Sequence, residues 1–381
     1  MPATFTIPPL TIPANQLKIW LLVPLVESDD RNIQYYYDFT PGIEEYKRVF
    51  EELRTDWKWQ TVTINNFRTV IDEIAFSANG KMPFVFNLCD GDEINGVPGI
   101  SVIHYLQEKG LCFSGSSAEF YDITTSKKTM KQAFDKAGVA TPNWEMILDK
   151  DQDVSGIFER LGCPLILKPA ISGGGSMGIS INNVVHDEHE LQEQIQLAFS
   201  GYHGWNLTSG GLVVEEFIKG PEFTTLIVGS SDRRNECITY LPVERIFHSS
   251  LPDTEKFLSF DRLWEFYENE PAMPSQESFY QYALPAAELI SSLQQVTLDA
   301  YAAVKGTGYA RLDIRMNVET KQLYVLEVNA QCGLSEDEDH TSIGAILRFS
   351  GKSFTQLVIE IIQDSLRKHQ MISSSINKKV S

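Results

Sequence analysis

Two tripeptides, RLD and EVN, place charged and amide side chains at alternating positions, namely Arg311 and Asp313 in the first and Glu327 and Asn329 in the second. Side chains alternate faces along a strand, so each pair shares one face. If the two segments form a hairpin that turns near Thr320, Asp313 lies opposite Glu327. Two neighbouring carboxylates repel each other unless a cation lies between them, and oxygen ligands suit Mg²⁺. The pattern predicts a magnesium site, and an exposed polar strand face with ordinary ion pairs is the alternative.

The same alternation assigns the other residues of the predicted hairpin to its two faces. On the first strand Arg315 joins the polar face, while Leu312, Ile314 and Met316 take the apolar one. On the second strand Val325 is predicted to share the face of the carboxylate and the carboxamide.

A glycine-rich loop follows the apolar segment PLILKPA, which contains Lys168. Gly173, Gly174 and Gly175 in succession would destabilise a helix or strand, so they predict a loop whose backbone approaches a ligand closely. The amides of such a loop, which ends at Ser176, can hold phosphate oxygens while the lysine supplies positive charge. A flexible linker is the alternative.

A third motif, GLVVEEFIKGPEF, contains an apolar strand that ends in charge. Glu215, Glu216 and Phe217 end the strand, and Glu222 follows a Gly-Pro turn. By itself this segment predicts only a strand with a charged end.

Composition limits the functions that these motifs can serve. The 381 residues contain 51 acids and 32 bases, a formal net charge of −19, and 43% hydrophobic residues. Such a chain is long enough for two or three compact units, and its charge argues against nucleic acid or anionic membrane as a partner. A phosphate ligand is still compatible, because screening at physiological salt makes local charge decisive.

The remaining sequence indicates a cytoplasmic protein. No apolar window is long enough to span a membrane, and the proline-rich start lacks the features of a secretory signal. Five cysteines lie far apart, which favours a reducing compartment and supports neither a disulfide framework nor a zinc site.

The order of strands and helices predicts how the motifs are arranged. Alternating strands and helices near the start indicate a small α/β unit with a parallel sheet. We divide the chain into a leader, a substrate domain, a central subdomain with the glycine-rich loop, a C-terminal subdomain with the metal site, and a flexible tail: 1–17, 18–120, 121–208, 209–370 and 371–381.

Taken together, a lysine before a helix, a strand-Lys-Pro-glycine loop, a strand ending in Glu-Glu-Phe-Ile and the RLD–EVN hairpin resemble the ATP-grasp superfamily. Within it, the chain is most similar to the D-alanine–D-alanine ligase branch, over roughly residues 85–350. The resemblance implies an α/β fold with a Rossmann-like N-terminal domain and two ATP-grasp subdomains that enclose ATP.

The resemblance also implies a role for each matching residue. The ATP phosphates would be bound by Lys127, Lys168 and Lys256, and by the loop amides of Gly173, Gly174, Gly175 and Ser176. The adenine edge would be bound by Glu215, Glu216, Phe217 and Ile218, and the ribose by Glu222. Two Mg²⁺ ions, or Mn²⁺ instead, would be held by Asp313, Glu327 and Asn329. The catalytic residues would be Arg311, Lys168 and Ser342.

The substrate positions depart from the family pattern. Glu27 is a displaced counterpart of the family's substrate-binding glutamate, Asp90 stands where a histidine is expected, and Phe257 replaces a tyrosine. The segment that follows the EVN motif is longer than in the family and carries four consecutive acids, residues 336–339. These acids either receive a cationic group of the substrate or form a solvated loop.

Three functions remain open on these grounds. The leading hypothesis is an ATP-dependent carboxylate–amine ligase that acts through an acyl-phosphate and joins an amino acid to a non-standard partner, as in dipeptide or mycosporine-like amino acid synthesis. A D-alanine–D-alanine ligase of cell-wall synthesis is the first alternative, and a non-catalytic ATP-binding module is the second. The expected partners are small amino acid and carboxylate, enol or ketone substrates, and a second copy of the chain in a homodimer.

Overall fold

Three β-sheets organise the residues that the structure, a computed structural model, describes: 10–77, 80–171, 177–265, 270–273 and 277–380. The predicted phosphate-binding loop, Gly173 to Ser176, lies outside these residues. The parallel and antiparallel sheets and the helices between their strands confirm the predicted α/β class.

The first sheet is parallel, as the strand and helix rhythm predicted, with strand order β2-β1-β3-β4. Its central strand LKIWLLVP is almost wholly buried because apolar clusters cover both faces, as is usual for parallel sheets. The strands are β1 (Leu17–Pro24), β2 (Asp56–Val62), β3 (Met82–Asn87) and β4 (Cys112–Phe113). The helices are α1 (Arg31–Tyr36), α2 (Ile43–Glu52), α3 (Phe67–Phe76), α4 (Ile100–Glu108) and α5 (Ala118–Thr125).

The second sheet is antiparallel, with order β5-β8-β6-β7. It carries the strand that contains Lys168 next to the strand that contains Glu215. The elements are α6 (Lys127–Ala137), β5 (Trp144–Ile147), α7 (Ile157–Leu161), β6 (Leu165–Pro169), β7 (Val184–Val185), α8 (Glu188–Phe199) and β8 (Leu212–Glu216).

The third sheet has order β12-β11-β9-β13-β14, and β10 pairs with β9. One face packs on α6 and α10 through an apolar cluster, which leaves the opposite face free to carry polar residues. The strands are β9 (Glu222–Val228), β10 (Ile238–Thr239), β11 (Val243–Phe247), β12 (Tyr280–Ala283), β13 (Tyr309–Met316) and β14 (Leu323–Ala330). The helices are α9 (Phe260–Trp264), α10 (Ala287–Ala303), α11 (Ser342–Ser350) and α12 (Phe354–Val380). Short 3₁₀ helices span Ala14–Gln16, Thr40–Gly42, Ile181–Asn183, Ser231–Glu236 and Asp253–Glu255.

The hairpin of β13 and β14 has the predicted register at its polar end, where Asp313 pairs with Glu327. A bulge follows, because Ile314 pairs with Val325 and leaves Leu326 as an extra residue. The prediction that Val325 shares the polar face is therefore wrong. The extra residue reverses the alternation, and Val325 is buried in the apolar cluster on the other face.

The C-terminal segment 371–381 was predicted to be a flexible tail, but α12 continues through Val380. The segment contains neither glycine nor proline, so nothing in its sequence ends the helix. Among the described residues, no helix combines the length and the apolar character needed to cross a bilayer.

The chain between β3 and α4 doubles back tightly. Gly91 and Gly99 form a bridge, and the Gly91 amide donates to the Pro98 carbonyl at 2.9 Å. A Cβ atom at Gly99 would lie 1.8 Å from the Gly91 carbonyl oxygen, which is far inside van der Waals contact. The turn therefore requires glycine at this position for reasons of space, not of backbone angle.

Replacing Gly99 with alanine is expected to lower the free energy of unfolding by about 3 kcal/mol, because backbone atoms must move to admit the methyl group. Urea denaturation of the full chain measures the effect. Gly42→Ala is the matched control: its Cβ would meet nothing within 4 Å, and a change below about 0.5 kcal/mol is expected. Equal stability of the two variants would contradict the steric argument.

Candidate active site

A row of polar side chains occupies the face of the third sheet that α10 leaves uncovered. Asp313 on β13 pairs with Thr224 on β9 on one side and with Glu327 on β14 on the other. Sheet pairing thus brings together side chains that lie far apart in the sequence. The row comprises Arg245, Glu222, Thr224, Arg311, Asp313, Arg315, Glu327 and Asn329.

The three predicted metal ligands are in contact. The Asn329 amide nitrogen donates to Asp313 Oδ2 at 3.1 Å and to Glu327 Oε1 at 3.3 Å. The Thr224 hydroxyl donates to Asp313 Oδ1 at 3.0 Å, and the Arg311 guanidinium donates to Oδ2 at 3.2 Å. The Asn329 amide nitrogen thus lies between the carboxylates of Asp313 and Glu327, where a cation would also be stabilised.

This donor set fits Mg²⁺ chemically. Rotation of the Asn329 amide exchanges its nitrogen and oxygen, which would give three oxygen ligands directed at one point. Among the described residues, no three His, Cys, Asp or Glu side chains are arranged so that they alone could hold a metal ion. Water or ligand oxygens would have to complete the coordination, as is usual for magnesium.

Lys127 and Lys168 make the surroundings of this site positive. Lys127 Nζ lies 3.1 Å from Glu327 Oε2, and α6, which begins with this lysine, is attached to β6 through the Lys127 amide and the Ala170 carbonyl at 2.7 Å. Burial opposes ionisation of Glu327, but Lys127, Lys168 and Arg311 together lower its pKa to about 2. Glu327 is therefore a carboxylate at neutral pH, as a metal ligand must be.

Glu215 on β8 pairs with two lysines, of which Lys168 is a predicted phosphate ligand. Its carboxylate oxygens lie 2.6 Å from Lys168 Nζ and 2.5 Å from Lys131 Nζ, and Lys131 also donates to the Thr141 hydroxyl at 2.9 Å. Glu215 is only 1% exposed. Burial opposes its ionisation, but Lys131 and Lys168 lower its pKa to about 2, which makes this a buried charged triad.

The predicted adenine strand continues past β8. The amides of Glu216 and Phe217 donate to the carbonyls of Asn143 and Pro164, both at 2.9 Å. No acceptor for the Ile218 amide occurs within the described parts of the chain, and the Ile218 carbonyl accepts from Arg315 at 3.0 Å. Ile218 is thus the residue of this segment whose backbone N–H can donate a hydrogen bond to a ligand.

Glu222, the predicted ribose ligand, is bound within the protein by two arginines. Arg315 Nε donates to Glu222 Oε2 at 2.9 Å, and Arg245 contacts the other oxygen. Burial opposes ionisation of Glu222, but the two guanidinium groups hold its pKa below the usual range. The assignment to ribose stays a prediction, and the structure adds a role in neutralising Arg245 and Arg315.

Lys256 lies beside Arg315 of the polar row. Lys256 Nζ lies 2.6 Å from the Asp253 carboxylate, while its carbonyl accepts from Arg315. Phe257, which stands in place of a tyrosine, packs edge-on against Phe217 with ring centroids 5.9 Å apart. Ser342 is the buried first residue of α11. The predicted roles of Lys256 and Ser342 stay predictions.

The acidic segment 336–339 is attached to the rest of the protein. The Ser335 hydroxyl donates to Glu45 on α2 at 2.8 Å, and Arg48 on the same helix pairs with Glu336. Glu338 and Asp339 lie 3.9 and 3.8 Å from Arg348 on α11. The segment thus joins α2 to α11, and arginines of the protein itself balance much of its charge.

Gln331 is a residue of the site that sequence reasoning missed. It has a φ of 55°, is 1% exposed, and donates from its amide nitrogen to the Cys89 carbonyl at 2.8 Å. Its amide oxygen accepts from the Ser116 amide at 3.4 Å. The residue joins the end of β14 to the ends of β3 and β4. No sequence signal identifies it, because a positive φ at glutamine is not encoded in the residue type.

Comparisons with known proteins agree with this geometry. A family model described as D-ala D-ala ligase C-terminus matches residues 133–363. The chain is 27% identical over 286 residues to the D-alanine–D-alanine ligase of Xanthomonas axonopodis pv. citri, which covers 74% of this chain and 78% of the relative. It is 29% identical over 266 residues to that of Synechococcus sp., with 70% of this chain and 71% of the relative covered.

A solved structure shares the fold. The crystal structure of D-alanine–D-alanine ligase from Bacillus anthracis matches with a TM-score of 0.65 at 21% identity, covering 93% of this chain and 99% of that chain. The structure of the B. anthracis ligase complexed with ATP also gives a TM-score of 0.65, at 20% identity.

Replacing Glu215 with glutamine is expected to destabilise the protein by about 3 kcal/mol at pH 7, since two buried ammonium groups lose their counter-charge. The effect should depend on pH. The folded-state pKa of Glu215 is about 2, below its usual 4.5, so its contribution is full above pH 5 and is lost as the pH falls towards 2.

Unfolding curves in urea between pH 7 and pH 3 measure both effects. The exposed Glu159, changed to glutamine, is the matched control and should leave the stability near that of the unchanged protein at every pH. A Glu215→Gln variant as stable as the control at pH 7 would show that the triad does not depend on this charge.

Proposed function

Because this chain belongs to the D-ala D-ala ligase C-terminus family, we propose that it joins two D-alanine molecules in a reaction that converts ATP to ADP and phosphate. The chain is an ADP-forming ATP-grasp ligase that makes a C–N bond. The observation that carries the proposal is the contact of Asp313, Glu327 and Asn329 on one sheet face beside Lys127 and Lys168. D-Alanine is the substrate in the names of the relatives.

In the first step, the carboxylate of one amino acid attacks the γ-phosphorus of ATP. A P–O bond breaks, ADP leaves, and an acyl-phosphate forms. Lys127 and Lys168 would bind the phosphates and reduce the charge that builds up between nucleophile and leaving group. Lys168 can do so without leaving Glu215, because an ammonium group has three donors and the carboxylate takes one.

In the second step, the amine of the other amino acid attacks the acyl carbon. The C–N bond forms, the C–O bond to phosphate breaks, and the nitrogen loses a proton. Arg311 would stabilise the oxyanion of the tetrahedral intermediate. Its guanidinium is oriented by Asp313 at 3.2 Å, and its Nε is buried without an acceptor among the described residues. That unused donor is the group that a developing oxyanion requires.

Asp313, Glu327 and Asn329 would hold the Mg²⁺ ions, which when bound neutralise phosphate charge and align the transferring group. The chain itself contributes the low pKa of Glu327, which keeps this ligand ionised. A homodimer in the cytoplasm and Mn²⁺ as a substitute ion are further parts of the proposal. They rest on the resemblance of the sequence to the family.

A ligase for a non-standard partner, the leading hypothesis from sequence, is less well supported than D-alanine ligation, because the relatives found are D-alanine–D-alanine ligases. Two observations still favour a non-standard partner. Phe257 supplies no hydroxyl where the family has a tyrosine. The acidic segment is held between α2 and α11 by contacts to both helices. Hydrogen-bond differences of this kind change substrate preference strongly.

The purified protein is expected to release ADP and phosphate when given ATP, Mg²⁺ and D-alanine as the sole amino acid, and mass spectrometry should detect the dipeptide. L-Alanine is the control and should give far less product. ADP release that requires a second, different compound would contradict D-alanine ligation and favour the non-standard partner. Absence of ADP release with every amino acid and carboxylate tested would favour the non-catalytic module.

Changing Glu327 to glutamine is expected to reduce kcat for ADP release by at least about 100-fold, because the site loses a negative ligand and the partner of Lys127. Glu319→Gln alters an exposed acid near the turn of the same hairpin and is the matched control, with kcat unchanged. Far-ultraviolet circular dichroism checks the fold of both. Activity of the Glu327 variant close to that of the control would remove Glu327 from the site.

A further inference from the structure

In each carboxylate of the proposed metal site, one oxygen faces the Asn329 amide and the other is bound elsewhere. Asp313 Oδ2 and Glu327 Oε1 accept from the Asn329 amide nitrogen, at 3.1 and 3.3 Å. The second oxygen of Glu327, Oε2, lies 3.1 Å from Lys127 Nζ. The second oxygen of Asp313, Oδ1, accepts from the Thr224 hydroxyl at 3.0 Å. The direction of the two facing oxygens therefore depends on the groups that bind the other two.

The sheet register gives Thr224 its place beside this site. Thr224 lies directly opposite Asp313 in the antiparallel pairing of β9 with β13, and it is fully buried. Directly paired residues point to the same face, so the hydroxyl and the carboxylate meet without a distortion of either strand. Thr225, the next residue, is also buried, but its hydroxyl lies on the opposite face, 2.8 Å from the Thr297 hydroxyl of α10. Two adjacent threonines of one strand thus serve opposite faces of the sheet.

A second partner fixes the direction of the hydrogen bond from Thr224. Arg245 donates to Thr224 Oγ1 at 3.4 Å, and a guanidinium group can only donate. The hydroxyl must therefore accept from the arginine, and its single proton is left for Asp313 Oδ1. Arg245 is itself buried and paired with Glu222. A directed chain of hydrogen bonds thus runs from Arg245 through Thr224 to Asp313.

We propose that Thr224 is a positioning residue for the metal site, because its hydroxyl fixes the rotation of the Asp313 carboxylate so that Oδ2 faces Glu327. The inference rests on the metal site of the proposed function and adds a residue that the sequence motifs did not identify. Among the described residues, no other group donates to Oδ1, and Arg311 donates to Oδ2 at 3.2 Å. Removing a group that orients a metal ligand typically lowers metal affinity by about 10- to 100-fold.

The test measures metal binding without turnover. Mn²⁺ is titrated into the full chain in the presence of the β,γ-imido analogue of ATP, and electron paramagnetic resonance measures the free ion. The same titration without protein gives the share of the ion that the analogue binds. The proteins are the unchanged chain, Thr224→Val, Thr224→Ser and, as the matched control, Thr225→Val. The control removes a buried hydroxyl from the opposite face of the same strand, while Thr297 keeps the Leu293 carbonyl as an acceptor at 2.7 Å.

Thr224→Val should raise the apparent Kd for Mn²⁺ by about 10-fold, because valine has a similar shape but no hydroxyl. Thr224→Ser should restore most of the affinity, and Thr225→Val should bind Mn²⁺ as the unchanged chain does. Far-ultraviolet circular dichroism checks the fold, and Thr224→Ala takes the place of the valine variant if that variant is unfolded.

The Mg²⁺ dependence of ADP release with D-alanine gives a second readout. Thr224→Val should need more Mg²⁺ than the unchanged chain for its half-maximal rate and should approach the same kcat at saturating Mg²⁺. A purely structural role for Thr224 would lower kcat without that shift.

Equal Mn²⁺ affinity of Thr224→Val and the unchanged chain, or equal losses in Thr224→Val and Thr225→Val, would overturn the proposal. If the unchanged chain holds no Mn²⁺ beyond the analogue's own share, the assignment of the metal ligands fails, and that of Thr224 fails with it. If the unchanged chain binds Mn²⁺ but releases no ADP with D-alanine, the ligation of D-alanine fails alone. A weaker affinity confined to Thr224→Val then still supports the role of Thr224.

Discussion

Charge balance on the uncovered face of the third sheet is the constraint on which the rest of the structure depends. Five strands contribute to this sheet path, and four of them, β9, β11, β13 and β14, place acids or arginines on one side of it. Carboxylates that lie so close are stable only with cations among them. Lys127 meets this need for Glu327, Arg311 for Asp313, and two further arginines for Glu222. The same cations give this face of the sheet the positive charge that an anionic ligand requires.

The cations reach this face because the second sheet and α6 are attached to it. Lys168 and Lys131 share one buried carboxylate, Glu215, so Lys168 is held by a triad whose members come from β6, β8 and α6. The Thr141 hydroxyl accepts from Lys131 and donates to the Val325 carbonyl at 2.9 Å, which connects the triad to β14. Lys168 is thereby positioned by hydrogen bonds that cross from one sheet to the next.

The first unit is fixed by a shared apolar core. Residues of β1 and β3, of α2, of β9 and of α12 form one buried cluster, so the carboxyl edge of the parallel sheet cannot move independently of the third sheet. Gln331 completes the junction with hydrogen bonds to both Cys89 and Ser116.

The local pattern of residues in the sequence was enough to predict much of the fold of this protein. The alternation of residues predicted the hairpin and the pairing of Asp313 with Glu327, because side-chain direction in a strand depends only on position along it. The rhythm of strands and helices likewise predicted the parallel sheet. Tertiary structure alone decided the bulge at Leu326, the burial of Glu215 between two lysines and the left-handed backbone of Gln331. Each of these depends on contacts between residues distant in sequence, and no residue type specifies such contacts by itself.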